Sequence, residues 1–542
     1  MPSWGFFINL SMNKLIARLK YLLIVFTIVN AHAQSKGPFF NVLDYGASND
    51  GTNRATKGIN AAIQAAKSAG GGTVYIPAGN YICGPIELVS NLELYIEAGA
   101  TLKFPAENLP FTKGRNQGIE CLVPVPLIGG HDLENVTITG RGTITTSNAE
   151  WMKLKPRYGG SAAGPNWMNL LRALEIKSPA TEEDYLKAAP ELRPPFLQVM
   201  NCKNVLIEGI HIIGSAMWPV HILYSENVVV QNIMIETYPG VHTGGIYLDS
   251  SRHIRISNCF IETGDDGIVI KSGKDADGLR VNRPTEDVTI TNCTVRHAHG
   301  AVTLGSEIAG GLRNIVVSNI ICDSTQIGIR IKSRRGRGGF IEDVRFNNWT
   351  MENVGQAINV TNFYAMEGEV FADDTTVTNR TPRFRNIAIS NITINHSRLV
   401  IDIEGLPEMP IEGLRISDLV GSGKTGMKAS NTIDLELHNV QINAEKGPAF
   451  LVRNSNDLEL DNVSTRKPLI DAPVIRIETS PGAIVRNSKT YPGTNIFLST
   501  EPNSLQDIVM VGNVTTNAKK VTDETEGEFW KIKEPPTEHI QR

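Results

Sequence analysis

The chain has 542 residues, a formal charge of −4 at neutral pH and a hydrophobic share of 41%. This length suits several ordinary domains, or one elongated repeat domain whose core grows with each added repeat. The slightly acidic balance argues against nucleic acid or an anionic membrane as a partner, because both favour a basic surface. The 49 glycines and few aromatic residues favour a turn-rich β protein over a helical one.

The first segment has the pattern of an export signal. Three cations within residues 14–20 precede the apolar run 21–26, and a small-residue Ala-His-Ala sequence ends at Ala33. This pattern predicts a signal peptide over residues 1–33, and hence a periplasmic or extracellular protein that no membrane retains after cleavage. A retained anchor helix fits less well, because the apolar run is short.

The cysteines are too few for a dense disulfide framework in a chain of this size. Several follow the same local phrase, as in Ser257-Asn258-Cys259 and Thr291-Asn292-Cys293. We interpret them as small hydrophobic side chains stacked along a core. Metal ligation is the alternative, but no close Cys or His pair has zinc spacing, so the sequence predicts no metal site.

A strand phrase of alternating apolar residues that ends in Asn recurs through the chain, commonly at intervals in the twenties or low thirties. Each copy is too short to bury its apolar face alone, so neighbouring copies must stack around a shared core. Asn tolerates left-handed backbone and can form side-chain ladders when stacked. The phrase ends at Asn232, Asn258, Asn292, Asn319, Asn348, Asn391, Asn439 and Asn462.

These repeats predict an all-β fold, a single-stranded parallel β-helix of the solenoid class. A leucine-rich repeat would need a Leu spacing that is missing here, and a propeller would need a more uniform period. The apolar spacing from Thr56 to Gly70 predicts a capping helix with Thr56 as N-cap and a glycine stop. We expect the β-helix to span residues 34–520, with an N-terminal cap at about 38–115 and a charged tail at 521–542.

Two insertions interrupt the predicted coils, at about 145–195 and 366–383. They carry aromatic residues, including Trp151, Trp167 and Tyr185 in the first. Long loops in a compact repeat domain are usually functional. We therefore expect them to fold over one face as walls of a cleft.

The densest polar chemistry is Gly264-Asp265-Asp266-Gly267. Two adjacent carboxylates flanked by glycines can splay at a sharp strand end and share one cleft, although such a pair alone is more often a solvated turn. Successive repeats then add His299-Gly300, Leu304-Gly305-Ser306 and Arg330-Ile331-Lys332. Because alternate strand residues share a face, Arg330 and Lys332 would lie on the same side of the sheet.

From the opening FNVLDYGASNDG to the late repeats, the chain resembles glycoside hydrolase family 28, the polygalacturonase family. The phrases GDDG, HGAVTLGS and RIK carry the resemblance in the family's order. It implies a right-handed β-helix that hydrolyses α-linked galacturonan or rhamnogalacturonan with inversion, needing no cofactor. The insertions suggest exo action. The partner would be an acidic plant polysaccharide or oligosaccharide.

By motif position, the resemblance implies that Asp265 is the general acid and that Asp266 helps to activate water, with His299 tuning the acid. Arg330 and Lys332 would hold a uronate carboxylate. Further candidate substrate-binding residues are Lys271, His242 and Tyr364, and Trp218 is a candidate sugar platform that could equally pack in the core.

The chain departs from the family where an Asn-Thr-Asp phrase is expected, because it has His242-Thr243-Gly244. The expected first aspartate is therefore missing. Asp249 is the nearest substitute, but it reaches the cleft only if a bulge or turn changes its face. If the pocket is otherwise conventional, Gly244→Asp should raise activity on galacturonan. The alternatives are a catalytically weak or inactive β-helix that binds acidic polysaccharide, and a polysaccharide lyase on the same fold.

Overall fold

The protein forms a right-handed parallel β-helix in the computed structural model, which describes residues 38–156, 163–175, 180–364 and 375–525. The predicted signal peptide and most of the charged tail lie outside these residues, as does part of the second insertion. Among the described residues, no helix has the length and apolar character needed to cross a membrane. The last described strand is Lys520–Glu524.

The strands of successive coils stack into three parallel sheets, which we call sheets 1, 2 and 3. Sheet 1 contains Ile86–Glu87, Ile128–His131, Leu197–Met200, Val220–Leu223, Ile246–Asp249, Ile268–Lys271, Gly300–Gly305, Ile327–Lys332, Gln356–Thr361, Ile475–Glu478, Ile496–Thr500 and Lys520–Glu524. Sheet 2 contains Phe39–Asn41, Gly72–Ile76, Leu92–Ile96, Glu134–Gly140, Lys203–Glu208, Glu226–Gln231, Arg252–Ser257, Glu459–Ser464, Ala483–Arg486 and Ile508–Val511. Sheet 3 contains Asp50–Arg54, Gly79–Ile82, Ala100–Lys103, Thr143–Thr145, His211–Ile213, Met234–Glu236 and Phe260–Glu262.

Five longer strands run through the bend from one sheet to the next. They are Thr285–Arg296, Leu312–Asp323, Phe340–Glu352, Arg383–Glu404 and Ile411–Asn456. Inward side chains stack in apolar columns, such as Ile246, Ile268, Val302 and Ile329 of sheet 1, which are all fully buried. This continuous core confirms that the repeats share one hydrophobic interior.

All eight asparagines of the repeat phrase have positive φ, between 53° and 59°. They lie at the bend between sheets 2 and 3, where left-handed backbone is needed at each coil. Neighbouring amides bond in a ladder: Asn319 Nδ2 donates to Asn292 Oδ1 at 3.1 Å, and Asn348 Nδ2 donates to Asn319 Oδ1 at 2.7 Å. The predicted ladder is confirmed.

The predicted capping helix is present as Thr56–Ser68, and three glycines with positive φ follow it. Thr56 is not its N-cap. That position belongs to Ala55, and the Thr56 hydroxyl instead accepts a hydrogen bond from Gly84 N at 2.6 Å. The hydroxyl thus joins the helix to the strand layer that it covers.

A side layer stands against one part of sheet 1. It is built from the antiparallel hairpin Phe111–Asn116 and Ile119–Pro124, with the helices Asn148–Leu154, Pro165–Glu175, Glu182–Ala188 and Asp275–Val281. The hairpin and the helices Pro165–Glu175 and Glu182–Ala188 have a separate apolar core that includes Ile119, Trp167, Leu170 and Leu192, whereas Trp151 of helix Asn148–Leu154 packs in the main core. The 3-10 turns Val42–Tyr45, Ala189–Glu191 and Leu505–Asp507 complete the described helical segments.

The cysteines are free, and five of the six are buried. Cys121, on the hairpin of the side layer, is half-buried. The core interpretation is therefore confirmed for the five cysteines of the β-helix.

Candidate active site

The acidic pair lies in the turn 263–267, between a strand of sheet 3 and the sheet 1 strand Ile268–Lys271. Neighbouring coils fix this turn through their backbones: His299 N donates to Asp265 O at 3.1 Å, and Gly245 N donates to Asp266 O at 3.1 Å. Gly264 is required because a Cβ there would lie 1.8 Å from Gly240 O of the preceding coil. The close stacking of coils therefore selects the glycine before the pair.

The two carboxylates have different surroundings. Asp265 lies between two histidines, with Oδ1 3.3 Å from His299 Nδ1 and Oδ2 3.7 Å from His242 Nδ1. Its side chain is 21% exposed, whereas that of Asp266 is 7% exposed. The Asp266 carboxylate binds two cations, with Oδ1 2.9 Å from an Arg330 nitrogen and Oδ2 2.9 Å from Lys332 Nζ.

These contacts lower the pKa of both carboxyls. Burial alone would raise the pKa of Asp265, but hydrogen bonds from His242 and His299 hold it well below its usual range. Burial is likewise outweighed at Asp266, where Lys332 and Arg330 lower the pKa. Burial opposes the charged form of His299, yet Asp265 raises the pKa of this imidazole. The resting site therefore favours two ionised carboxylates and a protonated His299.

Arg330 and Lys332 share the outer face of sheet 1, as the strand alternation predicts. In the structure they form ion pairs with Asp266, and Tyr364 covers them. The Tyr364 ring centre is 4.6 Å from Lys332 Nζ and 5.5 Å from the Arg330 guanidinium carbon. Tyr364 thus lies at the site, where it contacts the two cations.

Lys271 does not join this group of cations. Its ammonium forms a buried ion pair with Glu307 and donates to Gly305 O at 3.2 Å. Burial alone would raise the pKa of Glu307, but Lys271 and Arg337 lower it to about 2. Lys271 is therefore engaged within the protein beneath the side layer.

Asp249 does not supply a free carboxylate either. Strand Ile246–Asp249 begins after Gly244, and its alternation turns Tyr247 and Asp249 to the outer face. The side layer covers Asp249 there: Arg115 binds it at 2.7 Å, and both side chains are at most 1% exposed. Asp249 is therefore a structural partner of Arg115.

The sequence interpretation did not single out Tyr247, which the structure brings to the acidic pair. Trp218 stacks on its ring with centres 4.3 Å apart and planes 12° apart. Trp218 is buried in this contact, in an apolar cluster with Met217 and Val269, so of the two interpretations of Trp218 the structure confirms packing. The alternation in Ile246–Asp249 was the one signal that could have indicated Tyr247.

Among the described residues, one group has carboxylate and imidazole atoms close enough to hold a metal ion: His438, Glu459 and Asp461. Arg486 forms ion pairs with both of these carboxylates. The group lies on late coils of sheet 2, in a different part of the solenoid from the acidic pair. It gives no support for metal chemistry at the candidate active site.

A parallel β-helix with a splayed acidic pair and adjacent cations is the arrangement expected of a polysaccharide-cleaving glycoside hydrolase. Residues 180–433 match Glycosyl hydrolases family 28, and residues 39–107 match "Rhamnogalacturonase A/epimerase, pectate lyase-like". The solved structure of a hyperthermoactive exopolygalacturonase from Thermotoga maritima has a chain that is 32% identical in sequence to this one. The alignment covers 75% of this chain and 92% of that one, with a TM-score of 0.67.

Two relatives known from sequence extend the comparison. A probable polygalacturonase of Vitis vinifera is 28% identical over 70% of this chain and 73% of its own length. An exo-poly-alpha-D-galacturonosidase of Dickeya chrysanthemi is 27% identical over 66% of this chain and 62% of its own. The chain belongs to glycosyl hydrolases family 28. It is a glycoside hydrolase, as the sequence predicted.

Proposed function

We propose that this enzyme hydrolyses α-glycosidic bonds of an acidic pectic polysaccharide of galacturonan type, with inversion and from chain ends. The observation that carries the proposal is the asymmetry of the acidic pair. Asp265 is open to the cleft between two imidazoles, whereas Asp266 is held ionised by two cations. One carboxylate can therefore pass a proton to the substrate, while the other begins each turnover as an anion that can accept a proton.

Asp265 is the proposed general acid, with His299 as its proton reservoir. Without substrate, the Asp265 carboxyl has a low pKa and His299 a raised one. A proton shared by the two groups therefore resides preferentially on His299, 3.3 Å away. As the glycosidic bond breaks, His299 passes its proton to Asp265, and Asp265 passes it on to the leaving oxygen, so Asp265 ends the step as the anion that it was at the start. The open faces of both side chains allow the leaving sugar to approach them.

Asp266 is the proposed base. It accepts one proton from the attacking water, whose oxygen forms the new bond to the anomeric carbon as the bond to the leaving oxygen breaks. Attack from the face opposite to the leaving group inverts the anomeric configuration. Lys332 and Arg330 hold the carboxylate in place and ionised before each turnover.

The same cations support an acidic substrate. The Arg330 guanidinium uses one of its nitrogens for Asp266, and further N–H donors remain for a planar sugar carboxylate. Two of the similar proteins carry names that specify exo action on galacturonan. The side layer stands over part of sheet 1 and would close one end of the cleft. A cleft closed at one end admits the end of a polysaccharide chain, so the side layer supports exo action.

Rhamnogalacturonan is the second candidate substrate, favoured by the match of residues 39–107 to the rhamnogalacturonase A/epimerase group. We also propose export from the cytoplasm, on the basis of the signal pattern in residues 1–33.

The proposal is tested by incubating the enzyme with polygalacturonan, rhamnogalacturonan and a neutral polymer, and following fresh products by proton NMR. We expect single galacturonate units from polygalacturonan, released first as the β-anomer, and no cleavage of the neutral polymer. Initial α-anomer would exclude inversion, and a ladder of oligomers would exclude exo action. Cleavage of rhamnogalacturonan alone would transfer the proposal to that substrate.

A further inference from the structure

The missing aspartate leaves no empty space at position 244. A Cβ on Gly244 would lie 2.2 Å from the Tyr247 hydroxyl oxygen and 2.5 Å from the Asp266 carbonyl oxygen. The phenol therefore reaches back from the next strand to the point where a side chain at 244 would begin. A polar oxygen stands at this place, supplied by a different residue.

The Tyr247 ring is fixed, whereas its hydroxyl is available. The residue is 3% exposed, stacked on Trp218 and enclosed by Met217 and Val269. Within the described residues, no side chain or backbone group makes a hydrogen bond to this hydroxyl. A buried phenol hydroxyl normally has a hydrogen-bond partner, so we expect a small polar molecule in the site to be the partner of this hydroxyl.

The surroundings of the Tyr247 hydroxyl determine its protonation state. Burial, together with the charges of Asp265 and Asp266, raises the pKa of Tyr247 well above its ordinary value. The phenol therefore stays neutral at pH 7. It can donate one hydrogen bond and accept another, but it cannot take the proton of water.

We propose that the Tyr247 hydroxyl binds the attacking water and orients it against Asp266, in the role that a side chain at position 244 would otherwise fill. The water gives one proton to the Asp266 carboxylate, and its other O–H bonds to the phenol oxygen. Tyr247 neither gains nor loses a proton in the step. This inference rests on the proposed hydrolytic roles of Asp265 and Asp266.

Tyr247→Phe tests the inference, because it removes one oxygen and keeps the stacked ring. We expect kcat to fall roughly 10- to 100-fold, as for loss of one positioned hydrogen bond, with KM within about threefold of wild type. The matched control is Tyr224→Phe, a buried tyrosine whose hydroxyl donates to Glu120 at 2.7 Å in the side layer. The control should retain kcat.

A crystal structure gives a readout that does not depend on the substrate. We expect an ordered water within about 3 Å of both the Tyr247 hydroxyl and an Asp266 carboxylate oxygen, and its loss in Tyr247→Phe. Absence of this water from well-ordered wild-type crystals would overturn the inference. So would a normal kcat in the variant, or a raised KM with kcat unchanged, which would assign the hydroxyl to sugar binding.

Failure of the proposed substrate is distinguishable from failure of this inference. If the wild type ignores galacturonan and cleaves another glycoside, the proposed function is wrong, and the kinetic comparison is made on that glycoside. If no substrate is found, the crystallographic water alone decides.

Discussion

Replacing Lys332 by Met should destabilise the protein through the charge that it leaves behind. Lys332 Nζ lies 2.9 Å from Asp266 Oδ2, and the two side chains are only 6% and 7% exposed. Removing one partner of a buried ion pair costs about 3–5 kcal/mol, because the other charge stays buried without compensation. Arg330 still binds the other carboxylate oxygen, so we expect the lower value, about 3 kcal/mol at pH 7.

The loss should depend on pH in a defined direction. Burial raises the pKa of Asp266, but Lys332 and Arg330 lower it below its usual value. The Asp266 carboxylate therefore stabilises the folded protein above its unfolded pKa, and this stabilisation is lost as the pH falls through its folded pKa. Without Lys332 the folded pKa rises. The difference between variant and wild type should therefore be greatest at neutral pH and shrink towards about pH 4, as the variant carboxyl becomes protonated.

Thermal and urea unfolding at several pH values measure this effect, and the pH profile of kcat gives a second readout. The acid limb of the profile should move to higher pH, because Asp266 must be ionised to accept a proton. The control is Lys520→Met, which breaks an exposed pair at 3.3 Å and should cost under about 1 kcal/mol. A Lys332→Met loss no larger than the control, or one that grows towards acid pH, would refute the reasoning.

Two further variants test the acid side of the site. Asp265→Asn should lower hydrolysis by about 1000-fold or more with little change in melting temperature, since the amide keeps the shape but cannot donate the proton, and near-normal turnover would remove Asp265 from this role. Burial lowers the pKa of His299, but Asp265 raises it above its ordinary value. His299 is therefore fully protonated below its ordinary pKa, and it loses the proton as the pH rises through its raised pKa in the folded protein. Wild-type kcat should fall along that alkaline limb, and His299→Gln should have lower activity without the limb.

The fold could be predicted from the sequence because its determinants are local and repeated. Each strand phrase carries its own alternation and its own left-handed asparagine, so the stacking of Asn292, Asn319 and Asn348 follows from the period alone. The role of Thr56 could not be predicted in this way. Its hydroxyl is used by Gly84 N, 28 positions away, and helix-end patterns contain no information about such a contact.

The site was predictable as a set of residues, but not as a set of contacts. Motif order gave the acidic pair and the two cations on sheet 1. Which groups pair depends on how adjacent coils overlap in space, and this sets Arg330 and Lys332 against Asp266. The partner of Asp249 is Arg115, 134 positions earlier, on a hairpin with no signature of its own.

The same overlap decides the outcome of restoring an aspartate at position 244, for which the sequence alone suggested a gain in activity. The structure predicts a loss. The first carbon of any side chain there would collide with the Tyr247 hydroxyl, whose ring cannot retreat from Trp218, and with the Asp266 carbonyl oxygen, which belongs to the catalytic turn. Overpacking of this kind costs about 1–3 kcal/mol and would displace the acidic pair.

Gly244→Asp should therefore lower both melting temperature and kcat. Gly244→Ala should do nearly the same, because the collision begins at the Cβ. Comparing the two variants separates steric from chemical effects, since only Asp adds a carboxylate. A gain in activity for Gly244→Asp over wild type, or an alanine variant with unchanged stability and turnover, would mean that the phenol yields and that position 244 remains open to a base.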